Sequence, residues 1–186
     1  EIETSTCCFN TATENTMMAK LMVDSSVLWT RHYKIDSYRF DLMGHQPRAA
    51  MERLQKDVNE AAGRHVQLIG EGWNFGEVAD GARFVQASQL SLNGTGIGTF
   101  SDRARDAVRG GSPGDSGEPL VRRQGYINGL VYDANALGGE HKTVDRMRAA
   151  DMIRVGLAGS VRPYAFQTFD GQTRSLQDIA YGDQPA

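Results

Sequence analysis

Two carboxylates, Asp41 and Glu71, stand where chemistry is expected. Asp41 closes the run Tyr33-Lys34-Ile35-Asp36-Ser37-Tyr38-Arg39-Phe40-Asp41, and Glu71 closes His65-Val66-Gln67-Leu68-Ile69-Gly70-Glu71. Each run reads as a short strand, with a helical segment between them, so the two predict one β-α-β unit. Parallel strands joined by a helix end on the same side of a sheet, which brings Asp41 and Glu71 side by side. A carboxylate pair at strand C-termini suits glycoside hydrolysis, one group as nucleophile and the other as general acid.

The elements around the pair follow from periodicity. Met18, Leu21, Met22, Ser25, Leu28, Trp29 and His32 fall at three- and four-residue steps and predict a helix that packs this stripe into a core. In the first strand Ile35, Ser37, Arg39 and Asp41 share a face, so Arg39 lies beside Asp41, and a buried carboxylate next to a guanidinium stays ionised. Pro47 opens a second helix with Met51, Leu54, Val58 and Ala61 inward and Gly63 as its stop. Gly70 and Gly72 flank Glu71 and admit a close approach of backbone or ligand. Trp73 offers a flat apolar surface of the kind on which sugar rings stack. A third strand is expected within Gln86–Phe100, with Gly94-Thr95-Gly96-Ile97-Gly98 as a tight loop. That glycine spacing does not fit a dinucleotide fingerprint.

Ser101 is expected to cap a short charged helix through Arg109, with a solvated face. Residues 110–135 read as loop, Thr143–Leu157 as a helix with Val144, Met147, Met152, Ile153 and Leu157 inward, and Val161–Phe169 as one short strand. The tail from Asp170 to Ala186 reads as polar and unstructured. Gly114-Asp115-Ser116-Gly117-Glu118-Pro119 mimics the nucleophile loop of trypsin-like proteases. None of His32, His45, His65 and His141 has the setting of a triad base, so the protease reading is rejected.

Composition bounds the rest. The 186 residues carry 40% hydrophobic and 23% charged side chains and a net charge of -3. That balance argues against a nucleic-acid partner, and no apolar run is long enough to span a bilayer. Cys7 and Cys8 are adjacent, which leaves either two free thiols or a strained vicinal bridge. The histidines show no zinc spacing around them.

The motifs together carry a family resemblance. Ser5-Thr6-Cys7-Cys8, Met17-Met18-Ala19-Lys20-Leu21-Met22, Arg39-Phe40-Asp41-Leu42-Met43-Gly44-His45, Gly70-Glu71-Gly72-Trp73-Asn74 and Gly94 through Arg103 resemble the pullulanase-type debranching enzymes of the α-amylase-like glycoside hydrolases. The resemblance covers nearly the whole chain. It implies an α/β fold, part of a (β/α)8 TIM barrel comprising about strands four to six, so that residues 1–186 form a partial catalytic barrel domain. It implies cleavage of α-1,6-glucosidic branch points in an α-glucan such as pullulan, amylopectin or glycogen limit dextrins.

By the same likeness Asp41 is the nucleophile, Arg39 the arginine that holds it and Glu71 the acid/base. His45 and Trp73 line glucose subsites, and Asn10 is a further substrate-loop candidate. No cofactor is implied; some enzymes of the group bind calcium, for which the sequence offers no ligand set.

Three departures stand out. Ser37-Tyr38 replaces the usual Gly-Phe before the arginine, the His-Asp-Asn motif that supplies a third carboxylate is absent, and so is the upstream Asn-His pair. A complete barrel needs ~250 residues. The expectation is therefore an internal fragment, marginally stable and inactive alone. The alternative is a non-catalytic α-glucan-binding piece.

Overall fold

The computed structural model describes residues 10–180, apart from Pro113, Ser160 and Arg162. Cys7 and Cys8 lie outside the described residues. The chain divides into two compact units, the second beginning at Ser101.

In the first unit, helix α1 (Thr16–Tyr33) precedes strand β1 (Ser37–Phe40), helix α2 (Arg48–Ala62), strand β2 (Gln67–Gly70) and strand β3 (Gly98–Thr99). The three strands form a parallel sheet in the order β1-β2-β3. Ser37 pairs with Gln67 and Phe40 with Gly70, and Gly70 pairs onward with Thr99. The β-α-β unit expected around Asp41 and Glu71 is thus present. Helix α2 begins directly after Pro47 and ends at Gly63, whose φ of 66° is the left-handed turn that glycine adopts without penalty. Met51, Leu54 and Val58 are fully buried beneath it, against Val66 and Leu68 from the β2 segment and Val23 from α1.

Two expectations change here. The Met/Leu/Trp stripe of α1 is mostly not its inner face: Met22 packs against the core, but Leu21, Leu28 and Trp29 are exposed, while Val23, Ser26 and Thr30 are buried. Ser26 and Thr30 tolerate burial because each hydroxyl is satisfied. Ser26 donates to the Met22 carbonyl at 3.0 Å, and Thr30 Oγ1 lies 2.8 Å from the Tyr38 hydroxyl. The third strand shrinks to two residues. Ser88 and Ser91 exchange side-chain-to-backbone hydrogen bonds, and Gly94 and Gly96 turn at positive φ, so residues 86–96 coil instead of extending. The glycine run is the tight loop expected of it.

The second unit contains helix α3 (Asp102–Arg109), the short helix α4 (Glu118–Arg122), helix α5 (Thr143–Ala158), the antiparallel pair β4 (Ala165–Gln167) and β5 (Thr173–Ser175), and helix α6 (Leu176–Ala180). Gly156 allows α5 to meet α3, since a Cβ there would lie 2.1 Å from that of Ala104. Ser101 precedes α3 without a side-chain cap, and α4 forms inside the stretch read as loop. Helix α5 buries Ala149, Asp151 and Val155, whereas Val144, Met147 and Leu157 are exposed. Asp151 accepts from Arg154 and from the Phe169 N–H at 2.6 Å, which ties the helix to the hairpin. Over residues 170–180 the hairpin and α6 replace the unstructured tail expected there, the rest of that tail, residues 181–186, lying outside the described residues. Asp170 accepts from Thr168 and Arg174 and closes the turn. Among the described residues no helix is long and apolar enough to cross a membrane.

Candidate active site

The parallel register delivers the two carboxylates. Phe40 is paired with Gly70, so the next residue of each strand, Asp41 and Glu71, emerges at the same end of the sheet. The Glu71 N–H donates to the Phe40 carbonyl at 3.3 Å, which carries the ladder one step past the strands. Arg39 joins the pair: Nη1 lies 2.5 Å from Asp41 Oδ1 and Nη2 2.5 Å from Glu71 Oε1. A guanidinium suits this role because its planar fork presents two donors in fixed directions. Its pKa is raised above the ordinary value, first by the Asp41 hydrogen bond and then by the charge of Glu71.

The environments of the two acids differ. Asp41 was expected to be buried, yet its side chain is 77% exposed, against 13% for Glu71. The reason is the strand face it continues: Ser37 and Arg39 lie on the open side of the sheet, whereas Tyr38 and Phe40 pack toward the core. Glu71 is held from a second direction. Leu42 adopts a left-handed conformation, φ 44° and ψ 45°, and its N–H donates to Glu71 Oε2 at 2.8 Å. A bulky residue with positive φ is uncommon, and here it turns a backbone donor onto the carboxylate.

The loop after Asp41 is fixed by close packing. The Gly44 N–H donates to the Glu71 carbonyl at 2.8 Å, and Gln86 Nε2 donates to the Gly44 carbonyl at 2.9 Å. Gly70 and Gly72 make room for protein: a Cβ on Gly70 would meet the Phe40 carbonyl at 2.7 Å, and one on Gly72 the Thr99 side chain at 2.8 Å.

The same loop ends in a buried polar group. His45, 3% exposed, packs against Phe75 with ring centroids 4.6 Å apart and the planes tilted by 57°, and Phe75 lies 6.3 Å from Trp73. Asn10 Nδ2 is 2.8 Å from His45 Nδ1 and also donates to Glu77 Oε1. Burial lowers the His45 pKa, and the charge of Glu77 opposes that shift in part. His45 Nε2 and Trp73 Nε1 are buried polar atoms with no hydrogen-bond partner among the described residues. Such atoms are costly unless something supplies an acceptor.

The six residues singled out from sequence therefore form two neighbouring groups, Arg39-Asp41-Glu71 and Asn10-His45, with Trp73 next to Phe75. Sequence reasoning missed Leu42, Phe75 and Glu77. A backbone N–H at positive φ leaves no mark on a leucine codon, and a glutamate in a loop carries no signal until the loop is folded. Among the described residues no group of three or more His, Cys, Asp or Glu could hold a metal ion.

Comparison with known proteins gives the relationship. No protein-family model matches the chain. Pullulanase 1 of Arabidopsis thaliana is 42% identical over 192 residues, covering 98% of this chain and 20% of its own length. A pullulanase of Klebsiella aerogenes is 42% identical over 191 residues, covering 99% of this chain and 16% of its own. In structure, Klebsiella pneumoniae pullulanase complexed with maltotriose superposes with a TM-score of 0.80 at 39% identity, over 100% of this chain and 17% of that one. The chain spans about a fifth or less of the length of these relatives. An identity of 42% over nearly every residue makes this chain pullulanase-like throughout, the counterpart of one stretch of those much longer proteins.

Proposed function

We propose that this chain carries the catalytic carboxylates of a starch-debranching glycoside hydrolase that cleaves α-1,6-glucosidic branch linkages. Asp41 is the nucleophile and Glu71 the general acid/base. Asp41 attacks the anomeric carbon as the glycosidic C–O bond breaks, and Glu71 gives its proton to the leaving oxygen. Water then loses a proton to Glu71 and attacks the same carbon, releasing Asp41 with retained configuration. This reading involves no cofactor. It places the sheet in a (β/α)8 barrel, about strands four to six, with further strands and a third carboxylate supplied by sequence beyond these residues.

The observation that carries the proposal is the single guanidinium spanning both carboxylates at the ends of adjacent parallel strands. The unequal exposure of the two acids supports unequal roles. The open Asp41 can reach a sugar carbon, and the enclosed Glu71 must give up its Arg39 and Leu42 donors and take up a proton before it can donate to a glycosidic oxygen. His45, Trp73 and Asn10 would border the glucose units, which the unpartnered N–H groups of His45 and Trp73 favour. The maltotriose held by the Klebsiella pneumoniae relative supports an α-glucan ligand. On this reading the 186 residues alone release no sugar from pullulan.

The test is substitution in the full-length source protein. Asp41→Asn is expected to abolish reducing-sugar release from pullulan while maltotriose binding persists.

A further inference from the structure

Asn10 stands between a carboxylate and an imidazole, and the chemistry of its amide fixes what each neighbour does. A Glu77 oxygen accepts from Asn10 Nδ2, so the amide is turned nitrogen-first toward this cluster. The same nitrogen lies 2.8 Å from His45 Nδ1. An amide nitrogen donates and has no lone pair to offer, so Nδ1 must be the acceptor and carries no proton. The proton of the neutral ring is then on Nε2, the buried atom with no partner. Direct contact does not compete, because Glu77 Oε1 is 3.8 Å from Nδ1, beyond hydrogen-bond range.

We infer that Glu77 acts through Asn10 to lock His45 in the Nε2–H tautomer, making the ring a hydrogen-bond donor for a hydroxyl oxygen of a bound glucan. Glu77 is a positioning residue in this arrangement. Asn10 spends both amide hydrogens on orientation, which leaves only its carbonyl oxygen for a ligand. Fixing one ring nitrogen through the bond made by the other is the device by which metal-binding histidines are oriented, applied here to a sugar acceptor. The Phe75 ring against His45 limits its tilt. The buried Trp73 Nε1–H adds a second donor without an acceptor, as expected of a site that receives hydroxyl-rich ligands.

The glucan part of this inference rests on the proposed function; the tautomer does not. The experiment is long-range 1H–15N correlation spectroscopy on the full-length source protein labelled with 15N-histidine, at a pH where the ring is neutral. His45 is assigned by the signal that disappears in His45→Gln. The parent is expected to show a protonated Nε2 and a bare Nδ1. Asn10→Ala leaves the Glu77 carboxylate as the group facing Nδ1 and is expected to reverse the tautomer. Glu77→Gln frees the Asn10 amide to turn and is expected to yield a mixture. Either variant answers if the other does not fold.

A parent ring protonated at Nδ1, or a tautomer unchanged in the folded variants, overturns the relay. Maltotriose is expected to shift the Nε2 resonance of the parent, with affinity falling about tenfold in Asn10→Ala, the loss of one hydrogen bond. A correct tautomer that maltotriose does not perturb upholds the relay and overturns the placement of His45 against a glucan.

Discussion

Gly44 faces the backbone of Trp73 so closely that a Cβ on Gly44 would sit 2.1 Å from the Trp73 carbonyl oxygen. The obstacle is main chain held by the β2 segment, and it cannot rotate away as a side chain would. Gly44→Ala must therefore push apart the loop bearing His45 and the loop bearing Trp73. The expected cost is about 2–3 kcal/mol, in the range of core overpacking. The midpoint of urea unfolding measures it, and an unchanged midpoint would mean the two loops yield freely.

Arg39 holds two acids at once, a task that depends on the shape of the guanidinium as well as its charge. Arg39→Lys keeps the charge, but one compact ammonium loses the two-pronged geometry. Pullulan hydrolysis by the full-length source protein is expected to fall at least about 100-fold, the scale on which small misplacements act. The thermal midpoint should hardly move, because the arginine is half-exposed and exposed ion pairs contribute little. A variant that loses stability and activity in step would speak for a scaffold role.

His45 predicts an acid-side weakness. Burial places its folded pKa below the ordinary 6.5, with Glu77 acting against the shift. The unfolded chain therefore binds more protons than the folded one in the window below 6.5. The stability linked to this ring is fully present above 6.5 and is lost as pH falls through the folded value. Urea midpoints taken through that window should drop for the parent and drop less for His45→Gln, whose side chain does not titrate. Parallel profiles would refute the assignment.

Tyr38 stands where the family resemblance leads one to expect phenylalanine, and its hydroxyl is fully used. It donates to the Ser26 carbonyl at 2.8 Å and lies 2.8 Å from Thr30 Oγ1, clamping α1 onto β1. Tyr38→Phe should cost about 1–2 kcal/mol, since it strands the buried Thr30 hydroxyl. The double variant with Thr30→Val should recover part of that loss, which chemical denaturation of the three variants would measure.

The legible parts of this chain were those where burial follows apolar spacing. Met51, Leu54 and Val58 announced α2 and its inner face, and the runs ending at Asp41 and Glu71 announced β1 and β2. Helix α1 defeated the same logic because its buried face includes Ser26 and Thr30, whose polarity is cancelled by hydrogen bonds that hydropathy does not register. Helix α5 did so through Asp151, a buried carboxylate satisfied by the Phe169 N–H and Arg154. In the site, Arg39, Asp41 and Glu71 were readable from strand alternation and parallel ends. Leu42 and Glu77 were not, since each acts through a loop conformation that no spacing encodes.

The register of the sheet also bears on how the molecule assembles. Ser37 meets Gln67, thirty positions later, and Ile69 meets Gly98, twenty-nine positions later. Each pairing closes a loop of near-equal length, at an entropic cost of roughly 3 kcal/mol plus a constant. Parallel sheets fold slowly when their partners are remote in sequence. Here no partner is remote, and the closure of β1 on β2 by itself sets Asp41 beside Glu71. The acid pair therefore depends on one pairing of moderate loop length and needs no contribution from β3.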